Sequence, residues 1–417
     1  MLNSMQWVNA LSTRASLEGA LDEAIATVLA QLTQPADLGI VFLSAAFASD
    51  ASRLVPLLRE KIRLPYLIGC LGNGLVGMKA DGTNEEAEQG PALSLTVAAL
   101  PRVQLVPIQI DAGSLPDLDS SPQAWVDVVG VEPSQNPHFI LLVDPMTEGI
   151  NDLLSGLDFA YPQATKIGGL ASGGDAYHQP LFLDYPGLGQ SPNLGRSTVG
   201  IALSGDIILD SIVAQGCRPI GQPFRVTAGE RNIILEIEST HPITEELVTT
   251  PPLVSLRELV QTLNEKDKAL AQNALFVGVA MDEFKLALQP GDFLIRNLLG
   301  VDPRQGALAI GDRVRIGQRL QFHLRDGQTS AEDLQYLLEN YQQQPPAGEV
   351  KGALMFSCLG RGSNLYQQAN FDSNLFRHYF PQTAIAGFFC NGEIGPVGQQ
   401  TFLHGYTSVF GLIKSRP

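Results

Sequence analysis

A glycine loop with the pattern G-x-x-x-[Asn or Ser]-G occurs three times in this chain and restricts its fold more than any other feature. Each loop ends the same series of segments: an apolar run, a stretch with helical spacing, a proline and a second apolar run. The first run begins 29 residues before its loop in two copies and 33 residues before it in the third. The three loops are Gly69–Gly74, Gly168–Gly173 and Gly387–Gly392.

Each of the three segments predicts a β-α-β arrangement. Apolar residues recur at helical spacing between the two runs, for example at Leu54, Leu57 and Leu58 in the first copy. The runs themselves are continuously apolar, which is typical of strands that are covered on both faces. A further apolar run follows each loop, so the repeated unit is predicted to be β-α-β-β. The fold class is therefore α/β, with layered sheets and helices in two domains.

A segment rich in Thr and Pro and poor in large apolar residues predicts the boundary between these domains. We place it at residues 241–252. The N-terminal domain is then 1–240, with two glycine-loop units, and the C-terminal domain is 253–417, with the third.

The charge balance argues against some classes of partner. Lys and Arg number 27 against 43 Asp and Glu, a net charge of −16, which disfavours nucleic acid and anionic membranes as partners. The N-terminus has no secretory signal pattern, and no uncharged stretch suits a membrane span. Four widely spaced cysteines suit a reducing compartment. We expect a cytoplasmic protein without a metal or cofactor.

Glycine loops at the ends of parallel strands are where α/β sheets commonly bind ligands, because backbone N–H groups there are free to face a small polar molecule. Asn and Ser side chains in the loops add further hydrogen-bonding groups. The alternative is that the loops only form tight turns with positive φ. The candidate ligand-binding residues in the loops are Asn73, Gly74, Ser172, Gly173, Asn391 and Gly392.

Two charged residues follow the strands of the third unit. Arg361 lies between Gly360 and Gly362, and Glu393 closes the third glycine loop. A guanidinium and a carboxylate at one sheet edge suit a zwitterion that carries a carboxylate and an ammonium. The alternative is an internal ion pair that ties two loops together.

Three cysteines, Cys70, Cys358 and Cys390, lie at strand ends beside glycines. A shared reactive or metal-binding cluster is one interpretation. The other is that they are buried and act as small hydrophobic residues. The sequence pairs none of them with a general base, so no catalytic residue is predicted.

Three segments carry a resemblance to a known family: VAQGCRPIGQPFRVT at 213–227, ALMFSCLGRGSNLY at 353–366 and FFCNGEIGPV at 388–397. With them the chain resembles a FIST protein, with a FIST N-terminal domain over roughly 30–235 and a FIST C-domain over roughly 250–400. The resemblance implies a sensory module in signal transduction that binds small ligands, such as amino acids or their derivatives. Both domains account for the chain, so we expect the output to come from a separate signalling protein.

We therefore expect an intracellular sensory protein that binds a small polar metabolite where glycine loops of the two domains meet. Arg361 would contact the anionic group and Glu393 the cationic group. One alternative is a cysteine-dependent enzyme on a small acyl or amide substrate, with Cys358 or Cys390 as the nucleophile. Another is a protein-interaction scaffold without a ligand.

Overall fold

The computed structural model describes residues 4–174, 180–188, 194, 196–240, 246–288, 291–344 and 348–416. The predicted mixed α/β class is confirmed. The chain forms two compact units, one from residues 1–214 together with 336–417 and the other from Gln215–Gln335. The domain boundary predicted at 241–252 stays a prediction. Its residues 241–245 lie outside the described part of the chain.

The strands are numbered along the chain. They are β1 (Gln6–Ser12), β2 (Leu38–Ser44), β3 (Tyr66–Gly72), β4 (Leu75–Met78), β5 (Asn84–Ala87), β6 (Leu93–Ala99), β7 (Val103–Asp111), β8 (His138–Val143), β9 (Lys166–Leu170), β10 (Leu181–Asp184), β11 (Ser197–Gly205), β12 (Ile207–Ala214), β13 (Cys217–Glu230), β14 (Ile233–Thr240), β15 (Leu247–Thr250), β16 (Leu275–Ala280), β17 (Phe293–Asp302), β18 (Ala307–Ile310), β19 (Arg319–Arg325), β20 (Val350–Cys358), β21 (Ala384–Cys390), β22 (Glu393–Val397), β23 (Gln400–His404) and β24 (Ser408–Ser415).

The α-helices are numbered in the same way. They are α1 (Leu17–Gln31), α2 (Ala51–Lys61), α3 (Pro122–Val129), α4 (Ile150–Ala160), α5 (Pro252–Thr262), α6 (Glu265–Ala271), α7 (Gly327–Gln343), α8 (Ser363–Tyr366) and α9 (Phe371–Tyr379).

The first unit contains three sheets that share one core order of four strands. The first sheet has β1-β6-β2-β3, the second has β7-β11-β8-β9 and the third has β12-β24-β20-β21. In each sheet the last two strands are parallel and are joined by a helix, which is α2, α4 or α9. The predicted β-α-β segments are therefore present in all three sheets.

The simple β-α-β-β unit is not confirmed as the repeat. Each sheet also contains a strand that precedes the predicted unit, namely β1, β7 or β12. The apolar runs predicted after the loops, at 92–100, 197–209 and 406–413, fall on β6, β11 and β24, and these strands lie in the sheets of their own units. The short strand that comes directly after each loop, however, does not continue its own sheet. Instead β4 pairs with β21, β22 pairs with β9, and β10 pairs with β3. Each sheet thus gives a strand to another one, in a closed cycle of three.

Burial explains why the apolar runs become strands. All seven residues of β2 are buried, because the sheet is covered on one side by α1 and α2 and on the other by the remaining sheets. Ser16 caps the N-terminus of helix α1, since its hydroxyl accepts the backbone N–H of Gly19. The apolar core between the sheets includes Phe42, Ile140, Leu354 and Phe388.

One glycine in each loop lies at the same point of its sheet. Gly69, Gly168 and Gly387 pair with Val41, Leu141 and Met355 on the neighbouring parallel strand. A Cβ atom at these glycines would lie 2.1, 1.7 and 1.8 Å from the carbonyl oxygens of those partners. Only glycine permits this close approach.

The second unit is built around an antiparallel sheet in the order β13-β19-β16-β17-β18-β14-β15. Strand β13 pairs with β19 and also with β14, so the sheet closes on itself as a barrel. Its interior is filled by apolar side chains, among them Val226, Ile234, Val277 and Leu320. No helix in the described residues is long and apolar enough to cross a membrane.

Candidate functional site

The three glycine loops meet within the first unit, where Ser172 is buried and Asn73 and Asn391 are exposed. The backbone N–H of Asn73 donates to Ser172 Oγ at 2.9 Å, and Asn73 Nδ2 donates to the Ser172 carbonyl at 2.5 Å. Ser172 Oγ in turn donates to the carbonyl oxygen of Phe389. One hydroxyl therefore connects a loop of the first sheet to a strand end of the third.

The third loop reaches the second in a similar way. Asn391 Nδ2 donates to the Ala171 carbonyl at 3.0 Å, and the Asn391 backbone N–H donates to the Leu170 carbonyl at 3.1 Å. A Cβ atom on Gly173 would lie 2.9 Å from the backbone nitrogen of Gly72. We call residues 72–74, 171–173 and 390–392 the loop junction. The cyclic exchange of strands brings the three loops to this one place.

The predicted loop residues thus hydrogen-bond to one another in this structure. Asn73, Ser172 and Asn391 each use a side-chain group on the backbone of a neighbouring loop. The glycines allow the close packing: a Cβ on Gly74 would lie 2.7 Å from the Phe389 ring, and one on Gly392 would lie 2.9 Å from Leu403. Direct contact of these residues with a ligand stays a prediction.

Arg361 is buried completely, and its charge is met by a residue that the sequence did not single out. Its Nε and Nη2 atoms donate to the two carboxylate oxygens of Asp372 at 2.8 and 3.1 Å. Nη2 also donates to the hydroxyl of Tyr366, and the guanidinium lies 5.6 Å from the centre of that ring. Arg361 therefore forms an internal ion pair with Asp372 on α9, which is not the pair with Glu393 that the sequence offered as an alternative. Asp372 occupies the first turn of α9, where an acidic residue is favoured.

Glu393 is also buried completely, at the start of β22. Its Oε2 atom accepts the backbone N–H of Thr407 at 3.1 Å. Arg361 and Glu393 each follow by three residues a cysteine, Cys358 and Cys390, that pair in register on parallel strands. Both charged residues therefore come from the same edge of the third sheet, as the sequence predicted.

Gly362, next to Arg361, lies close to a second carboxylate, that of Glu88, which the sequence analysis did not single out. Gly362 has φ +66°, and a Cβ there would lie 2.7 Å from the carboxyl carbon of Glu88. Glu88 accepts the backbone N–H and the hydroxyl of Ser363 at 2.8 and 2.9 Å. The Gly360 backbone N–H lies 3.5 Å from Cys358 Sγ. No local pattern around Glu88 marks it, because its partner lies 275 positions away.

The cysteines differ in exposure. Cys70 and Cys390 are buried, and burial raises the pKa of both thiols well above the ordinary range. Cys358 is half-buried. Among the described residues, no group of three or more His, Cys, Asp or Glu side chains is arranged to hold a metal ion.

Two open grooves lie on the first unit, away from the loop junction. One of about 840 Å³ lies between the end of β7 and the start of α4 and includes Asp111, Glu148, Asp152 and Arg196. The other, of about 720 Å³, lies at the start of α1 beside Arg14 and Glu23. Neither groove is lined by a residue of the loop junction.

Comparison with known proteins gives family matches along most of the chain. The family model described as FIST N domain matches residues 37–240, and the FIST C domain model matches residues 253–396. Uncharacterized protein Rv0628c of Mycobacterium tuberculosis is 31% identical over 410 residues, which cover 96% of this chain and 98% of the relative.

Two other similarities are more limited. Human F-box only protein 22 is 35% identical over 75 residues, which cover 14% of this chain and 19% of that protein. A solved structure titled as a cyanuric acid hydrolase from A. caulinodans covers 99% of this chain and 100% of its own, with 10% identity and a TM-score of 0.34.

Proposed function

Because this chain belongs to the FIST family, we propose that it is a sensory protein that binds a small polar ligand, an amino acid or a derivative of one. FIST domains are generally sensory domains in signalling proteins. The ligand site we propose consists of the loop junction together with Arg361 and Glu393. The cytoplasmic location and a separate signalling partner remain predictions.

The observation that carries the proposal is the direct hydrogen bonding among the three glycine loops. Each loop ends a strand of a different sheet, so a change at one loop alters contacts of all three. A ligand shifts a conformational equilibrium only if it binds one state better than the other. A junction in which three sheets share a few hydrogen bonds offers two such states, closed and opened.

The charges near the junction favour a zwitterion over a simple anion. Arg361 is already neutralised by Asp372, and Glu393 adds a further buried negative group. An anion alone would compete with Asp372 and receive little net attraction. The carboxylate of a zwitterion meets the same competition at Arg361, but its ammonium group adds a favourable interaction with Glu393 that a simple anion lacks.

Calorimetry with a panel of amino acids on the purified protein tests the proposal, preceded by identification of any molecule that copurifies. We expect one ligand class to bind, and Arg361→Lys to weaken it at least tenfold, because lysine keeps the charge but loses the planar fork. Arg53→Lys is the matched control, since Arg53 makes only exposed ion pairs. Absence of binding across the panel, or equal affinity in Arg361→Lys, would contradict the proposed site.

A further inference from the structure

Strand β5 carries two buried side chains whose oxygen atoms lack partners. Asn84 and Glu86 are each 5% exposed, and they lie two positions apart, so they face the same side of the strand. Within the described residues, Asn84 Oδ1 and Glu86 Oε2 have no hydrogen-bond partner. Such orphaned buried oxygens are uncommon, because each forfeits the hydrogen bond it makes with water.

The remaining contacts of the two side chains fix their orientation. Asn84 Nδ2 donates to the Ser373 carbonyl at 2.9 Å, and Glu86 Oε1 accepts the Ser373 backbone N–H at 2.7 Å. A carbonyl can only accept, so Asn84 presents its NH₂ group, and not its amide oxygen, to Ser373. Both side chains therefore close around one residue of α9.

If Glu86 is ionised, both orphaned atoms are acceptors and neither can satisfy the other. A proton on Glu86 Oε2 makes that atom a donor, and Asn84 Oδ1, whose side chain lies on the same face of β5 and contacts the same Ser373, is an acceptor without a partner. We propose that Glu86 is protonated in the resting fold and donates to Asn84, and that its ionisation loosens the contact between β5 and α9. The Asn84–Glu86–Ser373 contact is thus a pH-sensitive latch.

The charges around Glu86 support this protonation. Burial, and then the negative charge of Asp372 on α9, raise the pKa of Glu86 to about 7, although the hydrogen bonds from Ser373 act to lower it; Glu88 adds a smaller rise. Arg361 is engaged with Asp372, and Arg377 lies further along α9. On β5 itself, Glu85 points to the other face and pairs with Lys79 at 3.0 Å.

The latch joins two sheets that the glycine loops also join. Strand β5 follows β4, which leaves the first glycine loop and pairs with β21 of the third sheet. Helix α9 connects β20 to β21 and carries Asp372, the partner of Arg361. A change of pH around neutrality would therefore act on the elements that hold the loop junction. The inference does not depend on the identity, or the existence, of a ligand.

Hydrogen exchange of α9, measured at several pH values between 6 and 8.5 and corrected for the intrinsic rate, tests the latch. In the full-length protein we expect protection of residues 371–379 to fall at least tenfold across this range. Glu86→Gln should abolish the fall, because its amide donates to Asn84 at every pH. Glu85→Gln is the matched control and should behave like the unaltered protein.

Two results would overturn the latch: protection that does not change with pH in the unaltered protein, or an equal fall in Glu86→Gln. If Glu86→Gln does not fold, Asn84→Ala provides the second variant. It removes the acceptor of the proton, so the loss of protection should move to lower pH. A transition at unchanged pH in Asn84→Ala would then argue against proton donation to Asn84.

Discussion

Asn73 and Ser172 lie 99 positions apart in the sequence, yet the backbone N–H of Asn73 is 2.9 Å from Ser172 Oγ. The same hydroxyl donates to Phe389, so it links all three glycine-loop segments of the chain. Because this hydroxyl is buried and connects three sheets, its loss should affect the stability of the whole first unit rather than of one loop.

Ser172→Ala should lower the free energy of unfolding by about 1–3 kcal/mol, since it leaves the Asn73 N–H and the Phe389 carbonyl without that partner. Urea denaturation followed by circular dichroism measures the change. Ser52→Ala, at an exposed position on α2, is the control and should stay near the unaltered value. Equal stability of both variants would show that the junction does not depend on this hydroxyl.

Gly387→Ala should destabilise the protein by about 4 kcal/mol or more, because the new Cβ would lie 1.8 Å from the Met355 carbonyl and the backbone would have to move. Gly113→Ala is the matched control, since nothing lies within 4 Å of a Cβ there. The same measurement on Gly69→Ala and Gly168→Ala should give similar losses. A neutral effect at any of the three would mean that its strand can shift without cost.

Asp372→Asn should destabilise the protein by about 3–5 kcal/mol, because it leaves the buried guanidinium of Arg361 without a compensating charge. The surface pair of Arg53 and Asp50 gives the comparison: Asp50→Asn should cost about 0–1 kcal/mol. Denaturant unfolding of both variants checks the difference. Similar small losses in the two variants would indicate that Arg361 finds another anionic partner.

Stability should fall on mild acidification because of two histidines, the half-buried His138 and the buried His323. Burial lowers the pKa of His138 and of His323 to about 4, from an ordinary value of 6.5. The unfolded chain therefore binds more protons than the folded chain between pH 6.5 and 4. The stability that the two neutral imidazoles contribute is complete above pH 6.5 and is lost as the pH falls towards 4.

Denaturant unfolding at pH 7, 6, 5 and 4.5 measures the slope of the unfolding free energy against pH. His138→Gln should reduce this slope by up to the value for one proton taken up on unfolding. His378→Gln, at an exposed position, should leave the slope unchanged. Glu86 acts in the opposite sense: its raised folded pKa gives stability that is present below pH 4.5 and lost as the pH rises through about 7. An unchanged slope in His138→Gln would contradict neutral burial of this imidazole.

Cys390 should be unreactive in the folded protein. Its thiol is buried and its raised pKa keeps the thiolate scarce at neutral pH, so a cysteine nucleophile at this position is disfavoured. Iodoacetamide labelling at pH 7.5, followed by mass spectrometry, should modify the half-buried Cys217 and Cys358 before Cys390 and Cys70. Rapid modification of Cys390 would instead favour the cysteine-enzyme alternative.

Several features followed from the sequence alone because local patterns determine them. Continuous apolar runs separated by helical spacing predict the β-α-β segments, and the repeated G-x-x-x-[Asn or Ser]-G pattern marks the loops that contain Gly69, Gly168 and Gly387. The positions of Arg361 and Glu393 after two neighbouring strands also follow from the sequence, whereas their complete burial is a property of the folded structure. Each of these depends on residues within a single segment.

The tertiary structure alone decided which segments contact one another. The strand after each glycine loop joins a different sheet, and no pattern within β4, β10 or β22 specifies that partner. The partnership of Ser373 with Glu86 spans 287 positions. Such pairings form only when the three sheets pack their apolar faces together. Their energy depends on contacts between distant segments, so the local sequence carries no signal of them.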